Sequence, residues 1–202
     1  VQKGMIHKKE TIMIMIAGIL ALLVALVLYA ITIYNNLISL KNNVSKNWSN
    51  IDVLLKQRYS ELPKLIDTCK EYMQYEKGTL EKIVTARQAA ITATEGRDVI
   101  ALGQAESSLK NGLLKLFALA ENYPDLKTNG SFQKLQARIS DLENNIADRR
   151  ELYNESVNIN NTRIQQFPDI LIAKIFDFKS FELLKFSKVE TEDVGIEDHF
   201  KT

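Results

Sequence analysis

The spacing of apolar residues separates the chain into two materials. From Ile12 to Ile33 no residue is charged. Those 22 residues make about 33 Å of helix, the hydrocarbon thickness of a bilayer. Inside lipid every backbone group must pair within its own segment, so the stretch is predicted helical and membrane-spanning. Tyr29 and Tyr34 stand near one end, where amphipathic rings favour the interface, and Lys3, Lys8 and Lys9 crowd the other. A secretory signal peptide would have a shorter apolar region followed by small residues at a cleavage site. Here bulky Leu28, Tyr29, Ile31 and Ile33 follow instead, which predicts an uncleaved anchor.

Beyond the anchor the apolar period is helical. Leu37, Leu40, Val44, Trp48, Ile51, Leu55, Leu62, Ile66, Cys69 and Met73 recur three and four apart, with one gap of seven. No turn signal parts this stripe from the anchor, so one continuous helix is expected. Leu37 to Met73 alone would reach about 55 Å at helical rise. Pro63 removes the hydrogen bond to the Tyr59 carbonyl and predicts a kink; Gly78 predicts a second bend. A second helix is expected from Leu80 to about Thr94, burying Leu80, Ile83, Val84 and Ala90. Gly96 reads as its stop and Asp98 as the next N-cap. A third carries Val99, Leu102, Leu109, Leu113, Leu116, Phe117 and Ala120 and ends before Pro124. Asn122 to Gly130 reads as a loop. A fourth helix starts near Ser131, carries Phe132, Leu135, Ile139, Leu142, Ile146, Tyr153, Val157 and Ile164, and stops at Pro168. Asp169 to Phe186 is apolar and rich in phenylalanine. It reads as a short helix on the bundle, or as a contact with the membrane surface or a neighbouring subunit. The tail from Ser187 is acidic and expected to be loose.

These stripes, joined by short links, predict an all-α fold: an N-terminal transmembrane helix followed by an antiparallel long-helix bundle. Each core Leu, Ile, Val or Phe adds about 1.5–3 kcal/mol of burial. The expected divisions are a flank at 1–11, the anchor at 12–33, the bundle at 34–178, and a C-terminal segment with acidic tail at 179–202. Three prolines and eight glycines leave little room for a turn-rich β-protein.

Charge changes the picture in two ways. Past Ile33 there are 23 Lys and Arg against 24 Asp and Glu, so no basic face is expected and nucleic acid is not an expected partner. The lysines of the N-terminal flank, set against a far flank with none before Lys41, put the N-terminus in the cytoplasm and the bundle outside it.

Candidate chemistry is sparse. His7 and His199 lie at opposite ends without metal-ligand spacing, and there is no phosphate loop or nucleophile elbow. The single cysteine, Cys69, falls on the apolar stripe and reads as a core residue. The carboxylates Asp52, Glu61, Asp141, Glu143, Asp148 and Glu151 read as a solvated face paired to Lys and Arg. Arg58, between Leu55 and Leu62, must be paired if buried. With Asn145, Arg149 and Asn160 it predicts an interhelical polar network that fixes register, or else a partner contact. No catalytic, cofactor or metal residue is expected, and the chain is not expected to be an enzyme.

The residues also resemble a family. Trp48-x-x-Ile51-Asp52-x-x-Leu55-x-x-Arg58, Leu62-Pro63 and Lys70-x-Tyr72 resemble the first block of the LemA family of bacterial membrane proteins. Glu121-Asn-Tyr-Pro-Asp-Leu-Lys127, Phe132-x-x-Leu135-Gln136, Glu143-Asn144-x-Ile146, Arg150-x-x-Tyr153-Asn154 and Phe167-Pro168 resemble the second, in order. The first block departs at Ser60, Lys64 and Tyr75, where the family favours Asp, Asn and His. The resemblance implies one N-terminal membrane helix, a long antiparallel bundle and no established enzymatic activity. It hints at membrane organisation, since relatives occur among magnetosome membrane proteins. It also implies a short N-terminus outside the cell, opposite to the charge count. The expected function is a scaffold of the bacterial envelope, held in the cytoplasmic membrane through its lipid contacts and self-associating into a homo-oligomer through its long helices. The alternative is a monomeric adaptor or sensor that binds another envelope protein.

Overall fold

The computed structural model describes residues 2–186, with side chains from Met13 onward. The expectations for the tail from Ser187 and for His199 fall outside these residues, as do the side chains of Lys3, His7, Lys8 and Lys9. Among the described residues six helices follow in order: α1 (Gln2–Tyr72), α2 (Lys77–Glu95), α3 (Val99–Ala120), α4 (Pro124–Lys127), α5 (Gly130–Arg163) and α6 (Asp169–Ile175). The described residues form no strand. The described residues divide into two compact units, one of residues 2–43 and 159–180, the other of residues 44–158 and 181–186.

In the first unit, α1 carries the apolar stretch, where an 18-residue window reaches a mean hydropathy of 2.9 with none of it buried. A helix that exposes Met13, Ile14, Met15, Ile16 and Ile19 on every side is built for a non-aqueous solvent, which marks a membrane protein. At the end of that stretch Ile33, and about one turn further Leu37, are buried against Ala173 of α6, with Ile164, Ile172 and Phe178 beside them. Tyr34 packs on Phe176 and Phe178, with ring centroids 4.7 and 5.9 Å away. Arg163 holds Asp169, which is 4% exposed, through an ion pair of 2.7 Å. The segment Asp169–Phe186 holds one helix of about two turns, α6, and a remainder without regular secondary structure.

The second unit is the bundle. Asn47 Nδ2 donates to the Leu152 carbonyl, Trp48 packs on Tyr153, Arg58 reaches Glu143, and Asn129 Nδ2 donates to the Tyr72 hydroxyl. The numbers rise along α1 as they fall along α5, so the two are antiparallel. Ile51, Leu55, Leu62, Leu65 and Cys69 from α1, and Met73 just past its end, share one core with Ile83 of α2, Leu109 and Leu116 of α3, and Ile139 and Ile146 of α5.

Several local expectations need correction. The first helix ends at Tyr72, and Gly78 lies within the first turn of α2 rather than at a bend. Val84 is 46% exposed; Ala86 takes its place on the buried face. The Asn122–Gly130 link contains α4, which starts at Pro124 because proline suits a first helical turn. Asn129 then caps α5, its Oδ1 accepting from the Ser131 and Phe132 amides. The turn after α2 is a Schellman motif: the Asp98 amide donates to the Ala93 carbonyl and the Arg97 amide to Thr94. Its left-handed residue is Arg97, with φ 52°, and not Gly96, whose φ is −74°. Asp98 does cap α3, accepting from the Ala101 amide at 2.9 Å.

Candidate functional site

Two features of the bundle concentrate polar chemistry, a buried charge network and an aromatic cleft. The network forms where apolar stripes are interrupted. On α1 the step from Leu55 to Leu62 passes over Arg58 and Tyr59; on α3 the step from Leu102 to Leu109 passes over Glu106. All three sit on core-facing turns. Arg58 is fully buried, and Glu106 is 1% exposed. The Arg58 guanidinium pairs with Glu106 through one nitrogen and with Glu143 of α5 through the other. The Tyr59 hydroxyl donates to the second oxygen of Glu106 at 2.6 Å. One cation thus ties together α1, α3 and α5, while Nε of Arg58 finds no acceptor among the described residues.

Burial alone would lower the pKa of Arg58, but the carboxylates of Glu106 and Glu143 outweigh it and the net shift is upward. Burial raises the pKa of Tyr59, and the Glu106 carboxylate adds to the rise. Both groups are held in their ordinary protonation states, the opposite of a base or nucleophile poised near neutrality. Burial likewise pushes the Cys69 thiol up to about 12, which makes it a poor nucleophile. Among the described residues, no three His, Cys, Asp or Glu side chains gather closely enough to hold a metal ion.

The predicted network is therefore assembled from a different set of residues. Arg58 belongs to it. Asn145 and Arg149 are exposed on α5, and Asn160, though 1% exposed, lies in the other unit beside Asn161. Glu143 leaves the solvated face it was assigned to, because Arg58 needs a second acceptor; its side chain is 24% exposed. Asp52 and Glu61 fit the surface reading, pairing with Lys56 at 2.7 Å and Lys64 at 3.0 Å. Glu106 was missed by pattern reading, although its signal was there: a carboxylate midway between Leu102 and Leu109 on the buried face.

The cleft has a volume of about 250 Å³ and is lined by Val44, Ser45, Trp48 and Ser49 of α1, Arg97 and Val99 of the α2–α3 corner, Tyr153 of α5, and Phe181. Its walls are aromatic and its one charged residue is the strained Arg97. Such a surface suits an apolar group that ends in an anion. Beside it the chain from Phe181 to Phe186 is fastened to α5. Asn154 accepts from the Leu184 amide at 2.9 Å and donates to its carbonyl at 3.1 Å, Tyr153 donates to the Glu182 carbonyl at 2.9 Å, and Arg150 lies over the Phe186 ring. Gly103 of α3 admits the Lys185 carbonyl where any Cβ would collide.

Many of these residues belong to the motifs noted in the sequence: Trp48, Arg58, Glu143, Arg150, Tyr153 and Asn154. Comparison with known proteins agrees. The chain is 24% identical to magnetosome protein MamQ of Magnetospirillum gryphiswaldense, an alignment that covers 85% of this chain and 71% of that protein. It is 22% identical to MamQ 2 of Paramagnetospirillum magneticum, covering 74% and 63%. It is 26% identical to protein LemA of Metamycoplasma hominis, covering 79% and 72%. The chain thus spans between three fifths and three quarters of the length of these relatives. The sequence profile of the LemA family matches residues 47–197, which takes in the whole charge network and all of the cleft lining but Val44 and Ser45, and the chain belongs to the LemA family.

Proposed function

We propose that this membrane-associated envelope protein is a non-enzymatic scaffold, anchored in the cytoplasmic membrane of a bacterium with its N-terminus inside and its bundle outside, and self-associating through its long helices. One observation carries the reading: the helix that bears the membrane stretch also supplies the fully buried Arg58 that joins α1, α3 and α5. The anchor and the bundle's central tie are one element, so the buried polar groups serve architecture. Light scattering of the full chain in mild detergent tests it. A discrete oligomer supports the scaffold, and a monomer at all concentrations rejects self-association.

The second reading is a monomeric adaptor that binds another envelope protein. It is favoured by the cleft, where Arg97 keeps a backbone conformation that costs a non-glycine residue of order 1 kcal/mol. Strain kept beside a binding-shaped surface is a pointer to use. The adaptor reading requires a monomer together with a stoichiometric partner that is lost in Arg97→Gly.

A further inference from the structure

We propose that α6 and its flanking phenylalanines lie in the headgroup layer of the bilayer, as a second membrane contact beside the transmembrane helix. The first unit leaves an apolar surface uncovered: Phe167 is 81% exposed, Ile175 72%, Phe176 55% and Leu171 54%. Leu171 and Ile175 are four apart and share the outer face of α6, opposite the buried Ala173. Phe167 and Phe176 flank that face at its two ends. A water-facing helix of this length would place charges there.

Position names the occupant. Ala173 packs on Ile33 and Leu37, and Tyr34 on Phe176. Ile33 is the last residue of the uncharged stretch, and Leu37 lies about 6 Å further along the helix. The headgroup region on each side of a bilayer is about 5–7 Å deep. Whatever holds α6 at Ile33–Leu37 therefore holds it at the depth of the headgroups, where aromatic rings concentrate. Lys174 is exposed on the same segment, as expected beside phosphate groups, while the exposed Lys179 pairs with Asp177 at 3.3 Å. An interfacial segment of this kind would fix the rotation and tilt of the anchor, which a lone transmembrane helix leaves open.

This inference rests on the anchor spanning the membrane, and the test reads the two separately. The full chain is reconstituted in phosphatidylcholine–phosphatidylglycerol vesicles and spin-labelled singly at Ile175→Cys, at Phe167→Cys, at Leu22→Cys within the anchor, and at Leu114→Cys on the exposed face of α3. Native Cys69 is fully buried and stays unlabelled. Collisional relaxation by oxygen and by a nickel chelate reports each site's solvent. Labels at 175 and 167 are expected to favour oxygen over the chelate, to a smaller degree than at 22, while 114 favours the chelate. If 175 and 167 match 114, the surface faces water and the proposal falls. Exclusion of both reagents with dipolar broadening means that a second copy covers the surface, and it falls equally. A label at 22 that favours the chelate overturns the anchor itself.

Discussion

The Nε of Arg87 donates to the backbone carbonyl of Tyr59 at 2.8 Å, the carbonyl that Pro63 leaves without its helical partner. Proline inside a helix frees the acceptor four residues back, and here a side chain from α2 takes it. The break in α1 thus becomes a fastening point between two helices. Tyr59 in turn holds Glu106, so the freed carbonyl and the buried charge network are contiguous.

The interaction predicts a coupling. Arg87→Ala should destabilise the bundle by about 1–2 kcal/mol, because it strands a carbonyl. In a Pro63→Ala background the helix repairs itself and the same change should cost about 1 kcal/mol less. Urea unfolding of the four variants, followed by the fluorescence of Trp48 against Tyr153, closes the cycle. Additive effects would mean that Arg87 acts elsewhere.

Arg58 gives a larger effect. Arg58→Met leaves Glu106 buried without its cation and should destabilise by about 3–5 kcal/mol. Adding Glu106→Gln should recover a substantial part, since a neutral amide tolerates the loss of charge. Arg58→Lys, which lacks the planar fork, should fall between. Denaturation midpoints rank the series; full tolerance of Arg58→Met would contradict a structural tie.

Alkaline pH should loosen the bundle. The folded pKa values of Cys69 and Tyr153 are raised to about 12 from ordinary values of 9.0 and 10.0, and that of Tyr59 is raised as well. An acid whose folded pKa is raised stabilises fully below its unfolded value, and that stability is lost as pH climbs toward the folded one. Stability should be flat up to about pH 9 and decline from there to about 12. Cys69→Ala should remove the onset between pH 9 and 10 and leave the later fall. Unfolding midpoints measured in half-unit steps decide it.

The segment from Phe181 to Phe186 should be releasable. Asn154→Asp loses the donor to the Leu184 carbonyl, and Gly103→Ala pushes the Lys185 carbonyl away. Each should raise amide exchange at Leu184 about tenfold or more, with α2 unchanged. Unaltered protection at Leu184 would show that the segment is held by other contacts.

Much of this was readable from residue spacing. The apolar N-terminal helix, the helices beyond it and the turn at Asp98 follow from periodicity and capping, which are local rules. Arg58 was recognisable because a cation between Leu55 and Leu62 has no solvent to face. Its partners were harder. Glu106 and Glu143 look like any helix carboxylate until three helices are brought together, and periodicity sets the face of a helix without its neighbour's register. The same limit explains Val84, displaced from the core by Ala86, and Arg97, whose left-handed geometry comes from the Schellman hydrogen bonds where Gly96 was the expected site. The aromatic C-terminal segment was ambiguous because its halves serve different surfaces: Ala173 and Phe178 pack beside Ile33 and Leu37 of α1, and Leu184 packs in the bundle core.

Subunit counting in lipid tests the central claim most directly. The full chain, carrying one dye at Thr202→Cys, is captured with its native membrane in polymer-bounded discs at low expression, and photobleaching steps are counted disc by disc. A self-associating scaffold predicts a fixed number of steps above one, unchanged on further dilution of expression. Single steps throughout would contradict it.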